Sequence, residues 1–163
     1  MDCGKMKIAK SFTFEAAHRL KDHNGKCRNI HGHSYRVVIE IKAKGAWTAN
    51  GSWGGMLIDF GELKTWWSEH MEPHFDHKLL LQFNDPLVDV LESSAAMEGP
   101  LGPQNIDDLP EDNVQTFPFP PTAENFADYF RDEVLAWLHS NPDRTGLNAS
   151  VTVYETPTSC ATA

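Results

Sequence analysis

Within sixteen positions of this 163-residue chain stand His18, Cys27, His31, Gly32 and His33, imidazoles and a thiol close enough in sequence to share one site. His31 and His33 are two apart, so on an extended strand they point to the same face. A third histidine on a preceding, paired strand completes a facial set of three nitrogens, and His18 is in place to be that residue. Such a set suits zinc, with a fourth position open for water or substrate. Gly32 fits the pattern, because a small residue between the two histidines leaves the opposite face uncrowded. Cys27 has two uses that spacing does not separate. It would close a structural Cys-His₃ site as a fourth ligand, or it would be a lowered-pKa thiolate acting as nucleophile or general base.

Other candidates lie further along. Asp76-His77 sets a carboxylate beside an imidazole, which suits proton transfer if the aspartate orients the ring; a helix start with a solvent histidine would look the same. Glu155 ends a hydrophobic strand, where a carboxylate is either simply exposed or a bidentate acceptor for a guanidine-like edge. Asp59 and Glu124 read as helix-starting residues. Arg19, Lys21, Lys26 and Arg28, against Asp22 alone, surround the histidines and could hold an anion there.

These residues need elements to position them. Alternating apolar and polar residues from Met6 to Ala17 predict a strand ending near His18. His18 to Ile30 is loop-like around Asn24-Gly25. His31 to Lys44 is β-branched and alternating, a long strand antiparallel to the first if the two form a hairpin. A Gly- and Trp-containing connection, 45–55, leads to a short extended segment. A helix comes next, from about Gly61 to Glu72, with Asp59 as N-cap, Glu62 completing a capping box and Pro73 ending it. Residues 74–81 predict a turn or short helix, and 83–120 an irregular surface excursion. A second helix starts after its N-cap Thr122, with a stripe of Phe126, Tyr129, Phe130, Val134, Leu135 and Leu138, and ends at Asn141-Pro142. A strand over 149–155 and a short tail close the chain.

Length bounds the chain to a single domain, 1–163. Hydrophobic content of 40% and charged content of 23% describe a globular protein, and no apolar run approaches the ~20 residues that span a bilayer. The start lacks the apolar core of a signal peptide, so a cytoplasmic protein is expected. Cys3, Cys27 and Cys160 are too few and too far apart for a disulfide framework. Net charge is −9. Residues 1–44 carry ten Lys/Arg against four Asp/Glu and the remainder four against nineteen, which argues against a nucleic-acid binder.

Six pieces, FEAAH (14–18), CRNIHGH (27–33), MLIDFGELK (56–64), FDHKLLL (75–81), PTAEN (121–125) and VYET (153–156), resemble one family in its order: the 6-pyruvoyl-tetrahydropterin synthase / 6-carboxy-tetrahydropterin synthase enzymes. The resemblance implies an α+β tunnelling fold, with an antiparallel four-stranded sheet, two helices on one face and element order ββααββ. It implies a homo-oligomer, hexamer or tetramer, with active sites between subunits. It also implies zinc on His18, His31 and His33, Cys27 as the base, Asp76 and His77 as a relay, and Glu155, assisted by Thr122, as the pterin anchor.

The implied substrate is 7,8-dihydroneopterin triphosphate. Three residues between Cys27 and His31 look like the carboxy-tetrahydropterin (queuosine) branch, which releases triphosphate and acetaldehyde; the tetrahydrobiopterin branch has a longer spacing. Two rivals stand beside this reading. One is the same fold making 6-pyruvoyl-tetrahydropterin, and the other is a zinc- or pterin-binding module without catalysis. The chain departs from the pattern in its long 83–120 connection and in its short tail after Thr156.

Overall fold

The computed structural model describes residues 6–43, 55–94 and 113–163. Most of the expected 45–55 connection, residues 95–112 of the 83–120 excursion and Cys3 lie outside these residues, and the described ends of that excursion hold a helix and a strand rather than irregular chain. Strand β1 (Lys7–His18) runs antiparallel to β2 (His31–Ala43), in a register that pairs His18 with His31 and Ala16 with His33. The loop between them contains one 3₁₀ turn, Lys26–Arg28, and is closed by the Leu20 N–H donating to the Cys27 carbonyl at 2.8 Å.

Helix α1 (Phe60–His70) starts at Asp59, whose side chain accepts from the Gly61 N–H. Glu62 makes an ion pair with Arg144 in place of the expected reciprocal cap. Pro73 does not stop the chain's helical path outright. It sits in the first turn of a short α2 (Glu72–Phe75), where a proline lacks no needed donor. Strand β3 (Lys78–Gln82), helix α3 (Pro86–Ser94) and strand β4 (Val114–Phe117) come next. Helix α4 (Ala123–His139) begins at Thr122, whose hydroxyl accepts from the Asn125 N–H at 3.3 Å. Strands β5 (Leu147–Thr156) and β6 (Ser159–Thr162) complete the chain.

The expected four-stranded antiparallel sheet and the ββααββ order are both corrected. The sheet has six strands in the order β4-β3-β1-β2-β5-β6, and it is mixed, because β3 lies parallel to β1 and β4 parallel to β3. The Leu79-Leu80-Leu81 run expected in a turn or short helix is β3. An apolar run that short carries no period to separate strand from helix, and tertiary pairing decides it. The tail after Thr156 is likewise ordered, as β6 along the free edge of β5.

Even-numbered residues of β1 and odd-numbered residues of β2 face α1 and α4. Phe14 stacks on Tyr35 with centroids 4.8 Å apart and tilts against Phe75 at 5.4 Å. Trp67 of α1 lies on Phe12 at 4.6 Å and meets Phe130 of α4 at 5.3 Å. Burying such rings contributes roughly 1.5–3 kcal/mol apiece, which fixes the strand register and therefore which histidines meet. The opposite face of β1 and β2 carries small and polar residues, among them Thr13, Glu15, Gly32 and Ser34, and among the described residues no helix covers it.

Candidate active site

At the end of the β1–β2 hairpin, His18, His31 and His33 share the core-facing side. Each offers a ring nitrogen, and these atoms lie within 4.8 Å of one another. His18 is buried (1% exposed), and its Nδ1 donates to the Pro121 carbonyl at 2.7 Å. A carbonyl only accepts, so the hydrogen is on Nδ1 and Nε2 keeps its lone pair. His31 is set the same way, with Nδ1 donating to the Asn29 carbonyl at 2.8 Å. Burial, the largest influence, holds the His18 imidazole below its ordinary pKa; the Pro121 contact and Glu155 pull the other way without reversing it. His18 Nε2 and His33 Nε2 are buried with no hydrogen-bond partner. Buried polar nitrogens are left so only when something else is meant to meet them, and a backbone-oriented histidine with a free second nitrogen is the usual preparation of a metal ligand. The donor set fits a metal ion.

Cys27 sits in the 3₁₀ turn as a half-buried free thiol and is not part of this nitrogen group. Of the four nearby cations, two are already paired. Arg19 forms a bidentate pair with the buried Asp85, and Lys21 contacts Asp22 at 2.6 Å. Lys26 and Arg28 are exposed and have no carboxylate partner among the described residues.

Asp76 and His77 form one unit. His77 Nδ1 and Asp76 Oδ2 are 2.7 Å apart, and Asp76 Oδ1 accepts from the Glu15 N–H at 2.9 Å. The His77 N–H in turn donates to the Glu15 carbonyl at 2.6 Å. Partial burial pushes the Asp76 carboxyl up, but the Glu15 N–H and His77 outweigh it and the net shift is downward. His77 has φ of 59°, in the left-handed region that costs a residue with Cβ roughly 1–2 kcal/mol. An open cleft of ≈550 Å³ on the uncovered sheet face is lined by Glu15, Gly32, His33, Ser34, His77 and Lys78.

Glu155 lies among the histidines. Its Oε1 is 3.5 Å from His18 Nε2 and 3.9 Å from His33 Nε2. Thr122 caps α4 beside Pro121. Three further contributors are not among the residues that sequence alone singles out. Tyr35, fully buried two residues after His33, places its hydroxyl 3.3 Å from His18 Nδ1; strand alternation from His33 could have found it. The Pro121 carbonyl and Asp85 left no local signal.

A family model described as 6-pyruvoyl tetrahydropterin synthase matches residues 7–163. The chain belongs to that family. A 6-carboxy-5,6,7,8-tetrahydropterin synthase of Haemophilus influenzae is 33% identical over 156 residues, covering 94% of each chain. One of the same name from Rickettsia conorii is 28% identical over 152 residues, covering 93% of this chain and 95% of the relative. The fold is shared with the 6-pyruvoyl tetrahydropterin synthase of Caenorhabditis elegans, at a TM-score of 0.60 and 23% identity over 100% of this chain and 97% of that one. It is also shared with a Wolinella succinogenes protein at a TM-score of 0.75 and 22% identity, over 98% and 97%. Among the described residues, no helix is long and apolar enough to cross a membrane.

Proposed function

We propose that the protein is a zinc-dependent 6-carboxy-5,6,7,8-tetrahydropterin synthase, converting 7,8-dihydroneopterin triphosphate to 6-carboxy-tetrahydropterin, acetaldehyde and triphosphate on the route to queuosine. The observation that carries this reading is the 33% identity to a relative of that name across 94% of both chains. The three-residue spacing from Cys27 to His31 supports the carboxy branch.

His18, His31 and His33 hold the zinc through their free nitrogens. When bound, zinc supplies Lewis-acid polarisation of the substrate's side-chain oxygens. Cys27 takes a proton from that side chain, its thiol being free and half-buried on the loop that leads into His31. Asp76 orients His77, which passes protons within the cleft. Its strained backbone supports a functional placement, because strain of that kind survives where the surroundings enforce it. Glu155 accepts the pterin's 2-amino and N3–H groups through both carboxylate oxygens. Thr122 stands nearby, although its cap engages one lone pair of its hydroxyl. Lys26 and Arg28 meet the triphosphate. Subunits associate as a homo-oligomer, a reading supported by Ile30, exposed at 52% next to His31.

The test is direct. Pure protein loaded with zinc and given 7,8-dihydroneopterin triphosphate should release acetaldehyde and triphosphate together. A pyruvoyl-tetrahydropterin product without acetaldehyde would overturn the carboxy reading, and no turnover with tight pterin binding would favour a binding module.

A further inference from the structure

We infer that Glu155 closes the metal's coordination shell in the substrate-free protein and must leave it when the pterin arrives. The inference rests on the three-histidine metal reading and adds a fourth, exchangeable ligand to it.

The geometry begins with a clash of acceptors. His18 carries its hydrogen on Nδ1, committed to the Pro121 carbonyl, so Nε2 presents a lone pair. Facing that lone pair at 3.5 Å, and the buried unpartnered Nε2 of His33 at 3.9 Å, is a carboxylate oxygen of Glu155. Acceptors brought together in a half-buried place repel unless a cation lies between them. The distances suit a metal ion. Ligands bound at about 2.0–2.1 Å around a tetrahedral ion lie roughly 3.3 Å apart, close to the 3.5 and 3.9 Å observed between Glu155 and the two histidines.

The backbone is shaped for this. Alternation along β5 buries Leu147, Ala149, Val151 and Val153, so Glu155 falls on the same core-facing side as those residues. The β5–β6 ladder shifts register between Tyr154 and Thr156, bracketing Glu155. A bulge of this kind re-aims the side chain it carries. The carboxylate that would grip the pterin edge is therefore held at the metal first. Its two engagements exclude each other, and pterin binding draws it off and opens the position the substrate side chain needs.

The experiment uses metal-free full-length protein, as wild type, Glu155→Gln and His31→Ala, without any pterin. Zinc affinity is measured by competition with a chromophoric chelator, and the visible spectrum is recorded after loading with cobalt(II). The expected result is that E155Q binds zinc on the order of tenfold to a hundredfold more weakly and shows an altered cobalt spectrum, while H31A binds neither ion. Equal affinity and an identical spectrum in E155Q and wild type would overturn the inference and leave the three-histidine site standing. Failure of the wild type to bind either ion would remove the metal reading itself and the inference with it. Should E155Q not fold, Glu155→Asp, one methylene shorter, gives the same readouts.

Discussion

Nδ1 of His18 donates to the carbonyl oxygen of Pro121 at 2.7 Å, joining the last residue of β1 to the residue before the cap of α4. Two parts of the chain far apart in sequence are thereby made to agree on the tautomer and direction of one imidazole. The Pro121 carbonyl is itself held in place by its neighbours in the chain: Thr122 caps the helix, and Asn125 Nδ2 donates to the Pro120 carbonyl at 2.8 Å.

Thr122→Ala should therefore act through the cap. Loss of the hydroxyl that accepts from the Asn125 N–H is expected to cost about 1 kcal/mol of stability and to weaken zinc binding modestly by loosening the Pro121 carbonyl. Thr122→Ser should restore both. Denaturant midpoints and chelator competition on the two variants provide the check. A Thr122→Ala protein with wild-type stability and zinc affinity but a raised KM would instead mean that the hydroxyl serves the substrate alone.

Cys27→Ala separates a base from a ligand. The thiol lies outside the nitrogen group, so the variant should keep a full complement of zinc and a stability within about 0.5 kcal/mol of wild type. Turnover should fall on the order of 10²–10⁴-fold. Metal content and a melting curve settle the first part, and acetaldehyde release the second. Loss of zinc from the variant would restore the structural Cys-His₃ reading.

The histidine cluster was legible because strand geometry is simple: a two-residue spacing fixes a common face, and a hairpin brings His18 opposite His31. The α4 cap was legible for the same local reason. What escaped were relationships that no local pattern encodes. Leu79-Leu80-Leu81 has too little length to show a period, and its parallel pairing to β1 depends on a crossover rather than a turn. Asp85 claims Arg19 across a long stretch of chain, so half of the cations counted as available for an anion already have partners. Glu155 read as an exposed strand-end carboxylate or a bidentate acceptor, and its nearness to His18, which neither reading contained, depends on β5 lying beside β2. Gly32 had a stronger reason than the one assigned to it. A Cβ there would come 3.2 Å from the Ala16 carbonyl, pressing apart the strands that align the histidines.

His77 offers a test of strain. Its φ of 59° favours glycine, so His77→Gly should be more stable than His77→Ala by about 1 kcal/mol. Both lose the imidazole and its contact with Asp76, and both should lose turnover to the same extent. Urea denaturation of the pair gives the stability difference. If the alanine variant were equally stable, the backbone there would be relaxing out of the left-handed region, and the placement of His77 would owe nothing to strain.

The Arg19–Asp85 pair predicts a pH signature. The Arg19 hydrogen bond, opposed by burial and joined by the Leu87 N–H, holds the Asp85 carboxyl below the usual carboxylate range. A carboxyl depressed in the folded state binds fewer protons there than in the unfolded chain. Its stabilisation is thus complete above the unfolded value of about 3.9 and is lost as pH falls through the folded value. Asp85→Asn keeps an oxygen for the Leu87 N–H but removes the charge facing Arg19. Arg19 retains 23% exposure, so the cost at pH 7 should be on the order of 2–3 kcal/mol, below the range for a fully buried pair. Urea unfolding of metal-free wild type and variant at pH 7 and again below pH 4 measures it. The buried His18, held neutral, destabilises both proteins alike as pH drops below about 6.5 and cancels from the difference. The gap between the two proteins should be largest near neutrality and shrink in acid; a gap unchanged by pH would mean that the pair contributes through shape rather than charge.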